Sequence, residues 1–139
     1  MNPVGTFAIL AGLVAVSTVL GLIWRSRTGR VRSIAAGADS VNIPEVTLSG
    51  RATLLQFSTE VCAPCVPTRR ILGAIADETD GVAHVDLDLT HRPDLAAKFN
   101  VLQTPTTLIL DGAGIIRARI GGAPRRADVR AALEVILAA

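Results

Sequence analysis

A chain of 139 residues, half of them hydrophobic and with a net charge of +2, has room for one modest domain. So small a charge gives no sign of nucleic-acid binding. Two cysteines exclude a disulfide-stapled scaffold, and they suit either redox compartment if their role is catalytic.

Residues 1–24 carry no ionisable side chain, and Pro3 to Trp24 is a nearly continuous apolar run. At 1.5 Å per residue this run spans about 33 Å, enough to cross a hydrocarbon core of roughly 30 Å. A cleaved secretory signal would want a basic start, a shorter apolar region and a small-residue cleavage site. Here nothing basic precedes the run, which ends in Ile23-Trp24-Arg25. The expectation is a retained transmembrane helix over 1–24. Arg25, Arg27, Arg30 and Arg32 follow at once, and no charged side chain precedes them. The excess of arginine places that end in the cytoplasm, Trp24 suits the interfacial belt there, and the soluble domain follows on the same side.

Residues 25–45 read as a basic juxtamembrane linker without sustained apolar periodicity, and residues 46–139 as the folded domain. Val46-Thr47-Leu48 has the makings of a short edge strand before a Ser49-Gly50 turn. A strand over 52–58 leads to a helix over about 63–79, in which Ile71, Leu72, Ile75 and Ala76 recur at helical spacing. Val82 to Leu89 is the next strand, with Val85, Leu87 and Leu89 on one face and Asp86 and Asp88 on the other. A short helix from Pro93 to Phe99 and a loop from Asn100 to Pro105 follow. Thr106–Leu110 and Ile115–Ile120 flank the hairpin signal Asp111-Gly112-Ala113-Gly114. A last helix is expected from Pro124 to Leu137. The order β-α-β-α-β-β-α implies an α/β domain with a mixed sheet.

Cys62-Ala63-Pro64-Cys65 lies where the apolar strand gives way to the helix. A thiol at a helix start meets unpaired N–H groups and the positive end of the macrodipole, which favour the reactive thiolate. A second thiol three residues on can attack a mixed disulfide formed by the first, so the pair is suited to redox exchange. Such a pair alone also suits a metal site, with His84 or His91 as further ligands.

From about residue 46 to the C-terminus the chain resembles the thioredoxin family. The resemblance rests on Leu54-Leu55-Gln56-Phe57-Ser58-Thr59-Glu60-Val61-Cys62-Ala63-Pro64-Cys65, on Val85-Asp86-Leu87-Asp88, on Phe99 to Thr106 with its Thr104-Pro105-Thr106, and on Gly121. It implies a thioredoxin-like α/β fold, a mixed sheet with flanking helices, preceded here by one transmembrane helix. It implies thiol–disulfide exchange with Cys62 as nucleophile and Cys65 as the resolving cysteine. Thr104-Pro105 matches a cis-proline loop facing the sulfurs. Together with Val61, Ala63, Pro64 and Gly121, that loop is expected to contact an extended substrate segment. The implied partners are disulfide-containing proteins, a reductase or other thiol donor, and the membrane, without nucleic acid. Neither cofactor nor metal is called for.

Several positions depart from the family pattern. Val61 and Ser58 stand where tryptophans are usual, Ala63 where glycine is usual, and Pro67 lies nearer the helix start than the usual helix proline. Gln56 occupies the place of a buried aspartate associated with proton handling and cannot titrate; Asp86 is the nearest candidate for proton transfer. The departures point to a specialised exchange site. Two alternatives stay open: a membrane-tethered binding or scaffold module with little turnover, and an extracytoplasmic thiol–disulfide protein if the topology is inverted.

Overall fold

The computed structural model describes residues 2–34, 40–44, 46, 48 and 50–139. In chain order its elements are α1 (Pro3–Arg27), β1 (Val31–Ser33), β2 (Ala52–Ser58), α2 (Cys65–Asp77), β3 (Val82–Asp88), α3 (Pro93–Lys98), β4 (Thr106–Asp111), β5 (Ile116–Gly121) and α4 (Arg126–Ala138). Five strands form one mixed sheet in the order β1-β5-β4-β2-β3. β2 runs parallel to β3 and antiparallel to β4, and β4–β5 is a hairpin.

β2 lies inside the sheet with both faces covered, which is why Ala-Thr-Leu-Leu-Gln-Phe-Ser reads as a run without alternation and why all seven residues are buried. On one face Leu54, Ile109, Ala118 and Ile120 pack against Leu72 and Ile75 of α2 and Val129 and Leu133 of α4. On the other, Leu55, Phe57, Leu108 and Leu110 pack against Leu95 and Phe99, with Val41, Ile43 and Val46 closing the layer. The Phe57 and Phe99 rings stack at 5.5 Å between centroids. The β4–β5 turn forms where expected: Asp111 Oδ1 accepts from the N–H groups of Ala113 and Ile115, and Gly114 supplies the positive φ.

Two differences from the sequence reading concern the stretch before β2. Val31–Ser33, expected within a linker, is an edge strand antiparallel to β5. A Val-Arg-Ser tripeptide has one apolar residue and no visible alternation; what makes it a strand is the otherwise unpaired edge of β5. The edge strand expected at Val46-Thr47-Leu48 is absent at its two described positions, and Thr47 lies outside the described residues. Val46 is used as a core side chain instead.

α1 is one unbroken helix with Pro at its first turn, and none of its residues is buried. It runs three residues past Trp24, as far as Arg27. Thr18 and Ser26 close their hydroxyls on the carbonyls of Val14 and Ile23 at 2.8 Å, which spares those polar groups an apolar surrounding. Three residues, Thr28 to Arg30, separate α1 from β1. That junction is tied to the domain: the Gly29 N–H donates to the Gly121 carbonyl at 2.9 Å. Gly29 has φ +78°, and a Cβ there would lie 2.3 Å from the Ala123 carbonyl oxygen, so both backbone conformation and space demand glycine.

Candidate active site

β2 delivers the chain to the site, and α2 carries it away. α2 starts at Cys65 rather than at Ala63, with Pro64 as its N-cap in a helical conformation. Cys62 therefore sits just before the helix, and its carbonyl accepts from the Cys65 N–H. Cys65, Thr68, Leu72 and Ile75 form the buried stripe of α2, so the second cysteine is fixed by the same periodicity that seats the helix. Pro67 falls in the first turn, where no N–H partner is lost.

The two cysteines form a disulfide with 5.4 Å between Cα atoms. They differ in access. Cys62 is half-buried, whereas Cys65 is 2% exposed. Val61 beside them is 97% exposed, and Ala63 and Pro64 are also at the surface.

A second segment closes against this loop. The Thr104-Pro105 peptide is cis. The hydroxyls of Thr59 and Thr104 share a hydrogen bond at 3.2 Å, joining the end of β2 to the proline loop. Thr106 Oγ1 donates to the Gln103 carbonyl, and the Gly122 N–H donates to the Pro105 carbonyl at 2.8 Å, joining the loop to the end of β5. Gly121 thus stands beside the loop. The space a side chain would take there is occupied by the Gln103 amide, 2.7 Å from the Cβ position. Val61 and Val66 leave apolar surface next to the two cysteines in the chain, and Leu102, two residues before Thr104, is 86% exposed.

Behind the disulfide the polar arrangement differs from the one the sequence suggested. Gln56, fully buried, donates from Nε2 to the Cys65 carbonyl at 3.1 Å. Its Oε1 lies 3.3 Å from His84 Nε2, and an amide oxygen only accepts, so the imidazole carries its proton on Nε2. Burial holds the His84 pKa below its usual 6.5, with Arg69 pressing the same way and Asp86 and Asp77 opposing it. Thr107, the cross-strand neighbour of Gln56 on β4, is buried with its hydroxyl unpartnered among the described residues.

Asp86 has other partners. One carboxylate oxygen accepts from Ser58 Oγ at 2.7 Å and the other from Arg69 Nε at 2.5 Å. The reason lies in strand register: Asp86 is level with Gln56 in the backbone pairing, but its side chain reaches forward to Ser58, and it is His84, two residues earlier on the same face, that meets the amide. Sequence reading missed the His84–Gln56 contact, although the alternation that put Asp86 and Asp88 on one face puts His84 there too. The CxxC loop is pinned from below as well, its Glu60 N–H donating to Thr90 Oγ1, which in turn donates to Asp88. That bond from Thr90 lowers the Asp88 pKa. Among the described residues no three His, Cys, Asp or Glu side chains gather as a metal-holding group.

The Thioredoxin family model matches residues 42–134. Among curated proteins, a thioredoxin of Streptomyces clavuligerus is 29% identical over 86 residues, covering 62% of this chain and 80% of that protein. Thioredoxin H2 of Arabidopsis thaliana is 30% identical over 97 residues, covering 69% of this chain and 73% of that protein. Among solved structures, the Fasciola hepatica thioredoxin superposes with a TM-score of 0.53 at 24% identity, over 62% of this chain and 81% of that one; this likeness bears on the fold alone.

Proposed function

The chain belongs to the thioredoxin family and is a thiol–disulfide oxidoreductase, and on that premise we propose that it is anchored in a membrane by α1 and reduces disulfides of protein partners. The observation that carries the assignment of roles is the unequal access of the two sulfur-bearing residues, Cys62 half-buried and Cys65 buried. Cys62 is the nucleophile. Its thiolate attacks one sulfur of the substrate disulfide and expels the other as a thiolate, leaving a mixed disulfide. Cys65 then loses its proton and attacks the Cys62 sulfur, which forms the 62–65 disulfide and releases the second substrate thiolate. Two electrons pass to the substrate. A reductase or another dithiol returns them.

The first turn of α2 contains no acidic residue, so nothing there opposes the helix-end field that favours the Cys62 thiolate. Val61, Ala63 and Pro64 are exposed and Thr104 and Gly121 partly so, with Pro105 buried beneath them; an extended substrate segment lies against these residues, and Leu102 and Val66 add exposed apolar surface. The Cys65 proton passes to the departing substrate thiolate or to solvent; His84 is the titratable side chain that reaches Gln56, and through it the backbone of Cys65. Asp86, expected from the sequence as the proton-transfer group, holds Arg69 and Ser58 instead.

The anchor rests on α1: 25 residues, roughly 38 Å of helix at 1.5 Å per residue, without a charged side chain from Pro3 to Trp24 and unburied in the fold. The arginines at its end favour a cytoplasmic domain, where substrate reduction is the sensible direction. The catalytic domain, expected over 46–139, also takes in β1 and the core residues Val41 and Ile43 ahead of it.

Cys65→Ser should accumulate mixed disulfides on Cys62 with membrane-associated proteins, separable by non-reducing electrophoresis; an empty trap under oxidising challenge counts against the exchange role. A single cysteine added near Asn2 should be labelled from outside the cell only. Labelling from the cytoplasmic side alone inverts the topology.

A further inference from the structure

A cleft of about 600 Å³ opens where α1 meets the domain. Its walls carry Trp24 and Arg27 from the end of α1, Arg30 and Arg32 from the junction and β1, Arg119 from β5, and Gln103 with Gly121 from the edge of the substrate surface. Arg32 and Arg119 are direct partners in the antiparallel β1–β5 register, a placement that sets two like charges side by side and is unfavourable unless something negative lies between them. Nothing in the fold supplies it: among the described residues no carboxylate pairs with Arg27, Arg30, Arg32 or Arg119. Arg119 is fixed rather than free to swing away, since its two terminal nitrogens donate to the carbonyls of Phe99 and Asn100 at 2.7 and 2.6 Å. Elsewhere arginines do find acids, as in the Glu78 pairs with Arg126 and Arg130. Four arginines thus line this one cleft without an acidic partner among the described residues.

We propose that the cleft binds the headgroup of an anionic phospholipid, a reading that rests on the membrane insertion of α1 argued above. The choice of a lipid over an acidic peptide follows from position. Trp24, 78% exposed, ends the apolar helix and suits the headgroup level of a bilayer, and Arg27 lies less than one turn further along. Guanidinium groups take phosphate oxygens through paired N–H donors, and a basic pocket at the membrane end of a helix is a setting in which lipid headgroups bind. Each arginine near an anionic surface strengthens association roughly five-fold, so three of them acting together carry a large preference. Because Gln103 and Gly121 belong to both the cleft and the proline-loop surface, an occupied cleft also fixes that edge of the substrate surface at the lipid boundary.

Trp24 is the sole tryptophan and lines the cleft, so its fluorescence reports the occupant. The full-length protein is reconstituted in phosphatidylcholine vesicles containing either brominated phosphatidylglycerol or brominated phosphatidylcholine. The expected result is quenching of Trp24 at a several-fold lower mole fraction of the anionic lipid. In the triple variant Arg27→Gln, Arg30→Gln, Arg32→Gln the preference should vanish, and in the matching triple lysine variant most of it should persist. Equal quenching by the two lipids in the native protein, or a preference unchanged in the glutamine variant, overturns the proposal. So does a Trp24 response to soluble glycerol phosphate, or to an acidic peptide, that matches the response to the anionic lipid. If neither brominated lipid quenches Trp24, the membrane reading falls with it, and disulfide reduction by the same sample separates that failure from a failure of the protein to fold.

Discussion

The Nε2 of His84 reaches the Oε1 of Gln56 at 3.3 Å, and the other end of that amide holds the Cys65 carbonyl. One uncharged side chain thus links the backbone of the buried cysteine to a titratable imidazole. His84→Gln keeps a donor in place but cannot titrate. It should slow the resolution step several-fold and flatten its dependence on pH below about 6.5, the ordinary histidine value. Asp86→Asn should leave that dependence in place, because the carboxylate contacts Ser58 and Arg69 rather than the amide. Following the decay of a preformed mixed disulfide across pH checks both; a loss of the pH response in Asp86→Asn with its retention in His84→Gln would reverse the assignment.

The same imidazole sets a dependence of stability on pH. With its pKa lowered in the folded chain, the unfolded chain takes up the proton first as pH falls. Stability is therefore full above the ordinary value of 6.5, declines as pH drops through it, and levels off once the lowered folded value is passed. Denaturant unfolding of the native chain and of His84→Gln at neutral and mildly acid pH should show the difference between them shrinking as pH falls.

Cys62→Ser should abolish reduction of a protein disulfide such as insulin, to the uncatalysed background. Cys65→Ser should also stop turnover, yet still consume one substrate equivalent as a mixed disulfide. The contrast separates attack from resolution, and mass spectrometry of the intact adduct reads it directly.

Leu72 is fully buried under α2 against Ile75, Leu54 and the α4 stripe. Leu72→Ala should cost about 2–5 kcal/mol. Thermal unfolding should register it as a fall in Tm of order 10 °C or more, at several degrees per kcal/mol for a domain of this size.

Gly29→Ala tests the junction. A residue with φ +78° and a Cβ position 2.3 Å from a carbonyl oxygen cannot accept a methyl group without moving the backbone. Destabilisation of about 1–3 kcal/mol is expected, together with faster amide exchange at the Gly29 N–H and along β1.

Most of the fold was legible in the sequence because its signals are local and repeated. The alternation in Val82–Asp88, the stripe of α2 and the Asp111–Gly114 turn each depend on neighbours within a few positions. The cysteine pair and the proline loop were also plain, since each is a short fixed string. What escaped depends on distant partners. β1 exists because β5 offers it an edge, and Val-Arg-Ser has nothing of its own to announce a strand. The Gln56–His84 contact needs the parallel register of β2 and β3, which no stretch of either strand reveals by itself. Helix ends shifted for a simpler reason. Pro64 and Arg125 are cap residues, and a prolyl or extended residue at a helix start looks helical in sequence while lying just outside it.

The three residues between α1 and β1 have a bearing on encounter. A flexible tether of about twenty residues would let a domain wander some 25 Å from its anchor, whereas here Gly29 is stitched to β5 and the domain has no slack. With α1 in a bilayer, the enzyme does not sample a volume. It sweeps a thin sheet of space, carried by lateral diffusion, and a client meets it by sharing that sheet. For a client held in the same membrane, rate would then depend on how many occupy each unit of membrane area, and diluting the surrounding solution would leave it unchanged.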